Sequence, residues 1–205
     1  MPVRNFFHSP HLDWPQLRGS LHVYVLPDPE FIASVQPAVD AVAAFDGCTA
    51  VEPRWQHATV TRIPWWRNEV DAEVLERFAA ALAVVAAGTV PFAIPMQGPW
   101  LHEYGVGVAA PEEAQWKQLY TATRDTAARI FGTERALPAP PPMPHVSLGY
   151  GIAERDSAPL AQALSTIETP ATLTVDALHF LSVDVDIEAG TFTWDALSSH
   201  TVGPS

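Results

Sequence analysis

Cysteine is all but missing from this chain: Cys48 is the only one in 205 residues. A single thiol rules out an internal disulfide and cannot build a cysteine-rich metal site. Long apolar runs are missing as well. The longest, such as 79–87, fall short of a bilayer's thickness, and Met1-Pro2-Val3-Arg4 is not followed by the apolar stretch of a secretory signal. An intracellular, cytoplasmic protein with no membrane partner is therefore expected. Positive charge is scarce, with 11 Lys and Arg against 23 Asp and Glu and a formal net charge of −12. From Glu154 to the C-terminus eight acidic residues stand against one basic residue, Arg155. A surface of that sign repels a long polyanion and forfeits the gain from counterion release, which argues against large RNA as a partner. What remains is 48% hydrophobic and 17% charged. That is a globular profile, long enough for one domain or two closely packed lobes, and it is read as a monomer.

Against this background one short pattern occurs twice. Gln56-His57-Ala58-Thr59-Val60-Thr61-Arg62 and Pro144-His145-Val146-Ser147-Leu148-Gly149-Tyr150 both read His, any residue, hydroxyl residue, apolar residue, with the two histidines 88 positions apart. Side chains alternate along an extended strand, so His57 and Thr59 share one face while Ala58 and Val60 take the other. His145 and Ser147 share a face in the same way. Each copy offers one imidazole and one hydroxyl to a surface and anchors itself with small or branched apolar residues. Two such halves facing one another suit phosphoryl transfer: one imidazole takes a proton from the attacking oxygen and the other gives one to the leaving oxygen. Imidazole titrates near neutrality, and each positioned proton transfer contributes roughly 10²–10⁴ in rate. Thr59 and Ser147 can donate hydrogen bonds to the non-bridging oxygens as charge builds there. The scheme calls for no metal and no cofactor. A lone histidine on a strand is more often a core or surface residue than a catalyst. The signal lies in the pairing.

These paired His-x-Thr/Ser-apolar motifs resemble those of the 2H phosphoesterase superfamily, which includes 2′,3′-cyclic phosphodiesterases and 2′-5′ RNA ligase-like proteins. The resemblance runs from about Leu21 to about Trp194. It implies an α+β fold with two pseudo-symmetric lobes, antiparallel sheets and a central cleft lined by one motif strand from each lobe. It also implies a phosphodiesterase acting on a small cyclic phosphate, with His57, Thr59, His145 and Ser147 as the catalytic set. Tyr24 is the first choice to stack on a nucleobase, because an aromatic at this place on the opening strand resembles one that faces the cleft in cyclic-phosphodiesterase-like members. Trp65 and Trp100 are further substrate-binding candidates, with Trp66 and Tyr104 behind them; His22 and His102 could also reach the cleft. Tyr150, in phase with Val146 and Leu148, is read as core.

Taken in order, residues 1–19 hold Pro2, Pro10 and Pro15 among Phe6, Phe7 and Trp14 and read as an irregular arm whose aromatics pack on the body, formed by residues 20–205. Leu21–Leu26 alternates as a strand, with Leu21, Val23 and Val25 on one face and His22 and Tyr24 on the other. Asp28 and Pro29 make an N-cap and first-turn pair for a helix reaching about Phe45. The first motif strand is expected over Trp55–Ile63, followed by a helix from about Glu69 to Ala87. Two strand-like runs, Pro91–Met96 and Trp100–Ala109, flank Gln97-Gly98-Pro99, read as a hairpin turn. A helix from Pro111 to about Phe131 precedes a run without formal charge, Ala136–Ala153, in which Pro138, Pro140, Pro141, Pro142 and Pro144 stiffen the approach to His145. A helix over Asp156–Ile167 and strands over Ala171–Val175, Ala177–Val185 and Thr191–Leu197 complete an α+β pattern. Arg54, Arg62, Arg67 and Arg77 lie near the first motif, either as a basic patch at the cleft mouth or as surface arginines paired with Glu52, Glu69, Glu73 or Glu76.

Two other readings compete. A metal-dependent hydrolase would use His57 and His145 as ligands, but catalytic zinc normally takes three protein ligands, and neither motif has a carboxylate neighbour or a His-Glu-x-x-His. The alternatives within the resemblance are a scaffold that binds a nucleotide or other phospho-ligand without turnover, and a 2′-5′ RNA ligase-like activity. Paired-imidazole chemistry has a kinetic signature. His57→Ala and His145→Ala should each abolish turnover with the fold intact, and the double variant should lose little more than either alone, because the pair acts as a unit. Additive losses in kcat would count against a shared site.

Overall fold

A computed structural model describes residues 2–12, 14–139 and 143–204. Among the described residues twelve strands and four α-helices follow one another as β1 (Pro2–Val3), β2 (Ser20–Val25), α1 (Pro29–Ala43), β3 (Cys48–Ala50), β4 (Ala58–Trp66), α2 (Ala72–Ala87), β5 (Phe92–Pro95), β6 (Gln97–His102), β7 (Gly105–Ala109), α3 (Ala114–Phe131), β8 (His145–Gly151), β9 (Arg155–Asp156), α4 (Ala158–Leu164), β10 (Thr172–Val175), β11 (Ala177–Asp186) and β12 (Thr191–Thr201). Eight strands form one sheet, in the order β12-β11-β2-β4-β8-β7-β6, with β3 also pairing with β8. All its pairings are antiparallel. The fold is α+β. The β2, β4, β11, β12 half and the β3, β6, β7, β8 half meet where β4 and β8 touch, at the single pair Ala58↔Val146.

Local sequence accounts for most of these elements. Asp28 accepts the Phe31 N–H at 2.8 Å and caps α1, and Phe31, Val35, Ala38, Val39 and Val42 recur at helical spacing to give it one buried face. The helices cover one side of the sheet. There Leu21, Val23, Val25, Ala58, Val60, Val146 and Leu148 meet Phe31 and Val42 of α1, Phe78 and Leu82 of α2, and Trp116 and Leu119 of α3 in one core. Each large side chain so buried contributes about 1.5–3 kcal/mol. The helices also cross over between halves. α1 follows β2 but packs on β3 and β8, whereas α3 follows β7 but packs on β4.

The opposite face of the sheet carries a second core of Phe7, Leu12, Tyr24, Val51, Tyr150, Leu181, Val183 and Phe192. The amino-terminal arm supplies part of it. The arm contains short regular elements that its prolines had argued against: β1 pairs with β9, and Phe6–His8 and Pro10–Leu12 are 3₁₀ turns.

Three connections depart from the pattern read in the sequence. Gln97-Gly98-Pro99 is not a hairpin turn. β5 pairs with β10 in a separate ribbon, and Gly98, at φ +135°, marks the change of sheet. The hairpin joins β6 to β7 through Glu103 and Tyr104. A three-residue strand, β3, precedes the first motif, and Pro53–Trp55 is a 3₁₀ turn, so β4 begins at Ala58 and continues to Trp66. Within the proline run, Pro140, Pro141 and Pro142 lie outside the described residues; beside them, the Pro144 carbonyl accepts the Ala110 N–H at 3.0 Å.

Besides capping α1, Asp28 accepts the Thr174 hydroxyl at 2.9 Å and so ties the helix start to β10. Asp28→Ala should lower stability by about 0.5–2 kcal/mol, the usual cost of losing an N-cap, read as a shifted urea midpoint with an unchanged slope.

Candidate active site

Antiparallel pairing of Ala58 with Val146 places His57 opposite Ser147 and Thr59 opposite His145. The two imidazoles then sit on one diagonal of this square and the two hydroxyls on the other. Diagonal neighbours on such a pair have Cα atoms about 7–8 Å apart, a gap that long side chains span around one phosphoryl group. Both rings are fixed in the same way. His57 Nδ1 lies 2.9 Å from the Trp55 carbonyl and His145 Nδ1 lies 3.2 Å from the Met143 carbonyl, in each case the residue two positions back. A ring nitrogen facing a carbonyl must carry the proton and donate it. Nε2 is left on both rings as the atom for proton exchange.

The frame is two-fold, but the surroundings of the two rings differ. Tyr24 stacks on His57 with ring centroids 4.0 Å apart and planes 13° apart, and Trp194 meets the same imidazole edge-on at 5.2 Å. Trp55 closes on Trp194 at 4.8 Å. Although an edge of His57 still reaches solvent, burial pushes its pKa down to about 4; the Trp55 carbonyl opposes this shift and His145 adds to it. His145 is exposed.

A β-bulge sits at the apolar residue that ends each motif. Val23 pairs with Thr61 and Tyr24 with Thr59, so Val60 is the extra residue; Val106 pairs with Gly149 and Gly107 with Ser147, so Leu148 is the extra one. An extra residue reverses the alternation beyond it. Arg62 and Tyr150, three positions past their motif hydroxyls, are thereby turned to the cleft face. Arg62 lies over the Trp14 ring at 4.8 Å. Tyr150 is buried, but in the second core with Tyr24, not with Val146 and Leu148. Burial raises the pKa of both tyrosines, to about 12 for Tyr150, and a hydrogen bond to a motif hydroxyl, Thr59 for Tyr24 and Ser147 for Tyr150, partly offsets the rise.

The aromatic candidates separate on this geometry. Tyr24 is 1% exposed and has its face against His57, so it positions that ring and offers no open face to a base. Trp65 packs against the helix-side core under Arg135, whose guanidinium lies 4.0 Å from the ring centroid. It faces away from the motif residues because the bulge at Val60 resets the alternation along β4. Trp66 is buried, its indole N–H donating to the Gln16 carbonyl, and Tyr104 meets His11 ring to ring at 5.0 Å. Trp100 is 41% exposed and lines a recess with His145 and Ser147. His102 lines the same recess, whereas His22 is buried between Trp14 and Tyr24 with Nε2 against the Ser20 hydroxyl at 3.1 Å. Trp194 and Trp55 shield His57; strand alternation from Trp55 to His57 could have pointed to Trp55, whereas nothing in the sequence links Trp194 to the motif. Of the four arginines, Arg54 pairs with Glu52 at 3.0 Å and Arg67 with Asp195 at 3.7 Å, while Glu69 is held by Arg135 at 2.6 Å. Among the described residues no helix is long and apolar enough to cross a membrane, and no cluster of three or more His, Cys, Asp or Glu could hold a metal ion.

Comparison with known proteins gives a family. The chain matches the 2′-5′ RNA ligase superfamily over residues 27–187. No curated protein sequence matches it. Among solved structures, TT0787 of Thermus thermophilus superposes with a TM-score of 0.71 at 16% identity, covering 90% of this chain and 98% of that one. E. coli LigT in its apo form gives 0.62 at 16% identity, covering 92% and 99%, and its complex with 3′-AMP gives 0.63 at 14%, covering 91% and 99%.

If shielding sets the state of His57, removing a shield must show in its titration. Trp194→Ala should raise the His57 pKa from about 4 toward the ordinary value of about 6.5, followed by NMR of the imidazole C–H protons. An unmoved titration would mean that water already reaches the ring.

Proposed function

We propose that this chain, which belongs to the 2′-5′ RNA ligase superfamily, is a metal-independent phosphodiesterase that opens a small 2′,3′-cyclic phosphate of nucleotide type. The observation that carries this reading is the crossed square of His57, Thr59, His145 and Ser147 about the Ala58–Val146 pair, with each imidazole tied through Nδ1 to the backbone. His57, uncharged at neutral pH, takes the proton of a water molecule as the water oxygen bonds to phosphorus. The bond from phosphorus to one ribose oxygen breaks, and His145 gives that oxygen its proton. The Thr59 and Ser147 hydroxyls donate to the non-bridging oxygens, where negative charge accumulates. His145 lies open to solvent and recovers a proton there, while His57 returns its own to water.

Support for a small substrate comes from two sides. The net charge of −12 sets the chain against long polyanions. E. coli LigT, similar in fold, has been crystallised with 3′-AMP, NADP+ and ATP.

The roles given to the two histidines predict a pH profile. Because burial holds the His57 pKa down, its base form persists from neutrality to about pH 4, so kcat/KM on a nucleoside 2′,3′-cyclic phosphate should fall on the acid side only near that value. An acid limb centred near the ordinary imidazole value of about 6.5 would assign the base role elsewhere. The unfolded chain protonates this imidazole first, so stability also declines as pH falls from about 6.5 to about 4. The rate must therefore be expressed per folded molecule.

A further inference from the structure

We propose that the notch above Gly107, between Trp100 and the His145–Ser147 pair, seats the substrate's nucleobase, so that the nucleoside lies on the β6–β8 side of the site and presents its leaving ribose oxygen to His145. This placement rests on the phosphodiesterase reading and specifies where its substrate sits.

Strand register builds the notch. Trp100 pairs with Gly107 and Gly107 pairs with Ser147, so the three residues form one row across β6, β7 and β8 on the cleft face. Adjacent strands are about 4.8 Å apart, so Trp100 and Ser147 stand two strand spacings, on the order of 10 Å, from one another. The residue between them has no side chain. Nor can it readily gain one, since a Cβ at Gly107 would come within 2.9 Å of the Val146 carbonyl oxygen. In the next row Ala109, with only a methyl, pairs with His145. The result is a recess of about 170 Å³ that reaches from Trp100 and Met143 to His145 and Ser147.

The lining selects the occupant. Among the described residues it holds no carboxylate, guanidinium or ammonium group, so it suits a neutral planar group and not a second phosphate. Trp100 keeps 41% of its surface exposed, where the other aromatics near the motifs are packed on one another. Across the site, Tyr24, Trp55 and Trp194 are committed to His57 and to each other, which leaves that side for water. His102 Nδ1 accepts the Tyr104 N–H at 3.3 Å. Its proton is then on Nε2, a donor for a ring nitrogen or carbonyl on the base edge. A nucleoside held here places its ribose oxygens beside the imidazole that must protonate one of them, while the shielded imidazole faces the water.

Two substrates and two variants test the placement: adenosine 2′,3′-cyclic phosphate, and the same ribose cyclic phosphate with a methoxy group at C1 in place of the base, against Trp100→Ala and Trp100→Phe. Trp100→Ala should raise KM for the adenosine compound about 5- to 150-fold, the span of one base–aromatic stack, with kcat little changed. Its KM for the base-free compound should stay at the wild-type value, and Trp100→Phe should keep most of the affinity for the nucleotide. Equal effects on both substrates, or none on either, would overturn the subsite. If the wild-type protein turns over neither compound, the phosphodiesterase reading fails and the subsite is judged by calorimetric binding of 3′-AMP. Weakening in Trp100→Ala by the same factor supports it; unchanged or absent binding overturns it.

Discussion

One backbone pairing governs this molecule. Where Ala58 meets Val146, two strands that otherwise run apart touch at their amino-terminal ends, and antiparallel geometry converts that contact into a crossed arrangement of two imidazoles and two hydroxyls. A shift of one residue in the pairing would turn one motif toward the helices. The register is held from both sides: Ala58, Val60, Val146 and Leu148 lie in the helix-side core, while Tyr24 and Tyr150 pack in the core on the cleft face. Hydrophobic burial on two faces thus fixes a polar geometry that has little intrinsic stability of its own.

On this symmetric frame the environment is asymmetric, and the asymmetry gives each histidine its proposed task. Both rings bond a backbone carbonyl two residues back. Only His57 is enclosed by aromatic rings. Desolvation disfavours the imidazolium, so the enclosed ring stays a base and the open one can exchange protons with water. The same division recurs in the walls. The aromatics beside His57 are spent on each other, and the aromatic beyond Gly107 is not.

Much of this was legible in the residues. The repeated motif, the α+β pattern, the faces of β2 and the capping of α1 all follow from short-range rules, and the structure agrees with each. The faces assigned within each motif also stand, because alternation holds over His57–Thr59 and His145–Ser147. It fails one residue later. A bulge leaves no mark in local composition, since whether Val60 or Leu148 is the extra residue is decided by the partner strand. Tyr150, Arg62 and Trp65 were therefore misplaced or left open for one common reason. Gln97-Gly98-Pro99 had the composition of a hairpin turn, yet β5 found its partner in β10, some 80 residues on. The hairpin of β11 and β12 follows from local sequence, but the shield of Trp194 over His57 depends on β11 pairing with β2, which no local signal announces.

The exchange of helices between the two halves bears on motion. Because α1 is rooted in the half that carries β2 yet rests on β3 and β8, and α3 does the reverse, the halves are interlocked and do not merely abut. Drawing them apart would lift a helix off the strands it covers and wet the core beneath. The spacing of the two motifs is in that sense clamped, since the halves cannot swing apart about the Ala58–Val146 pair without exposing apolar surface.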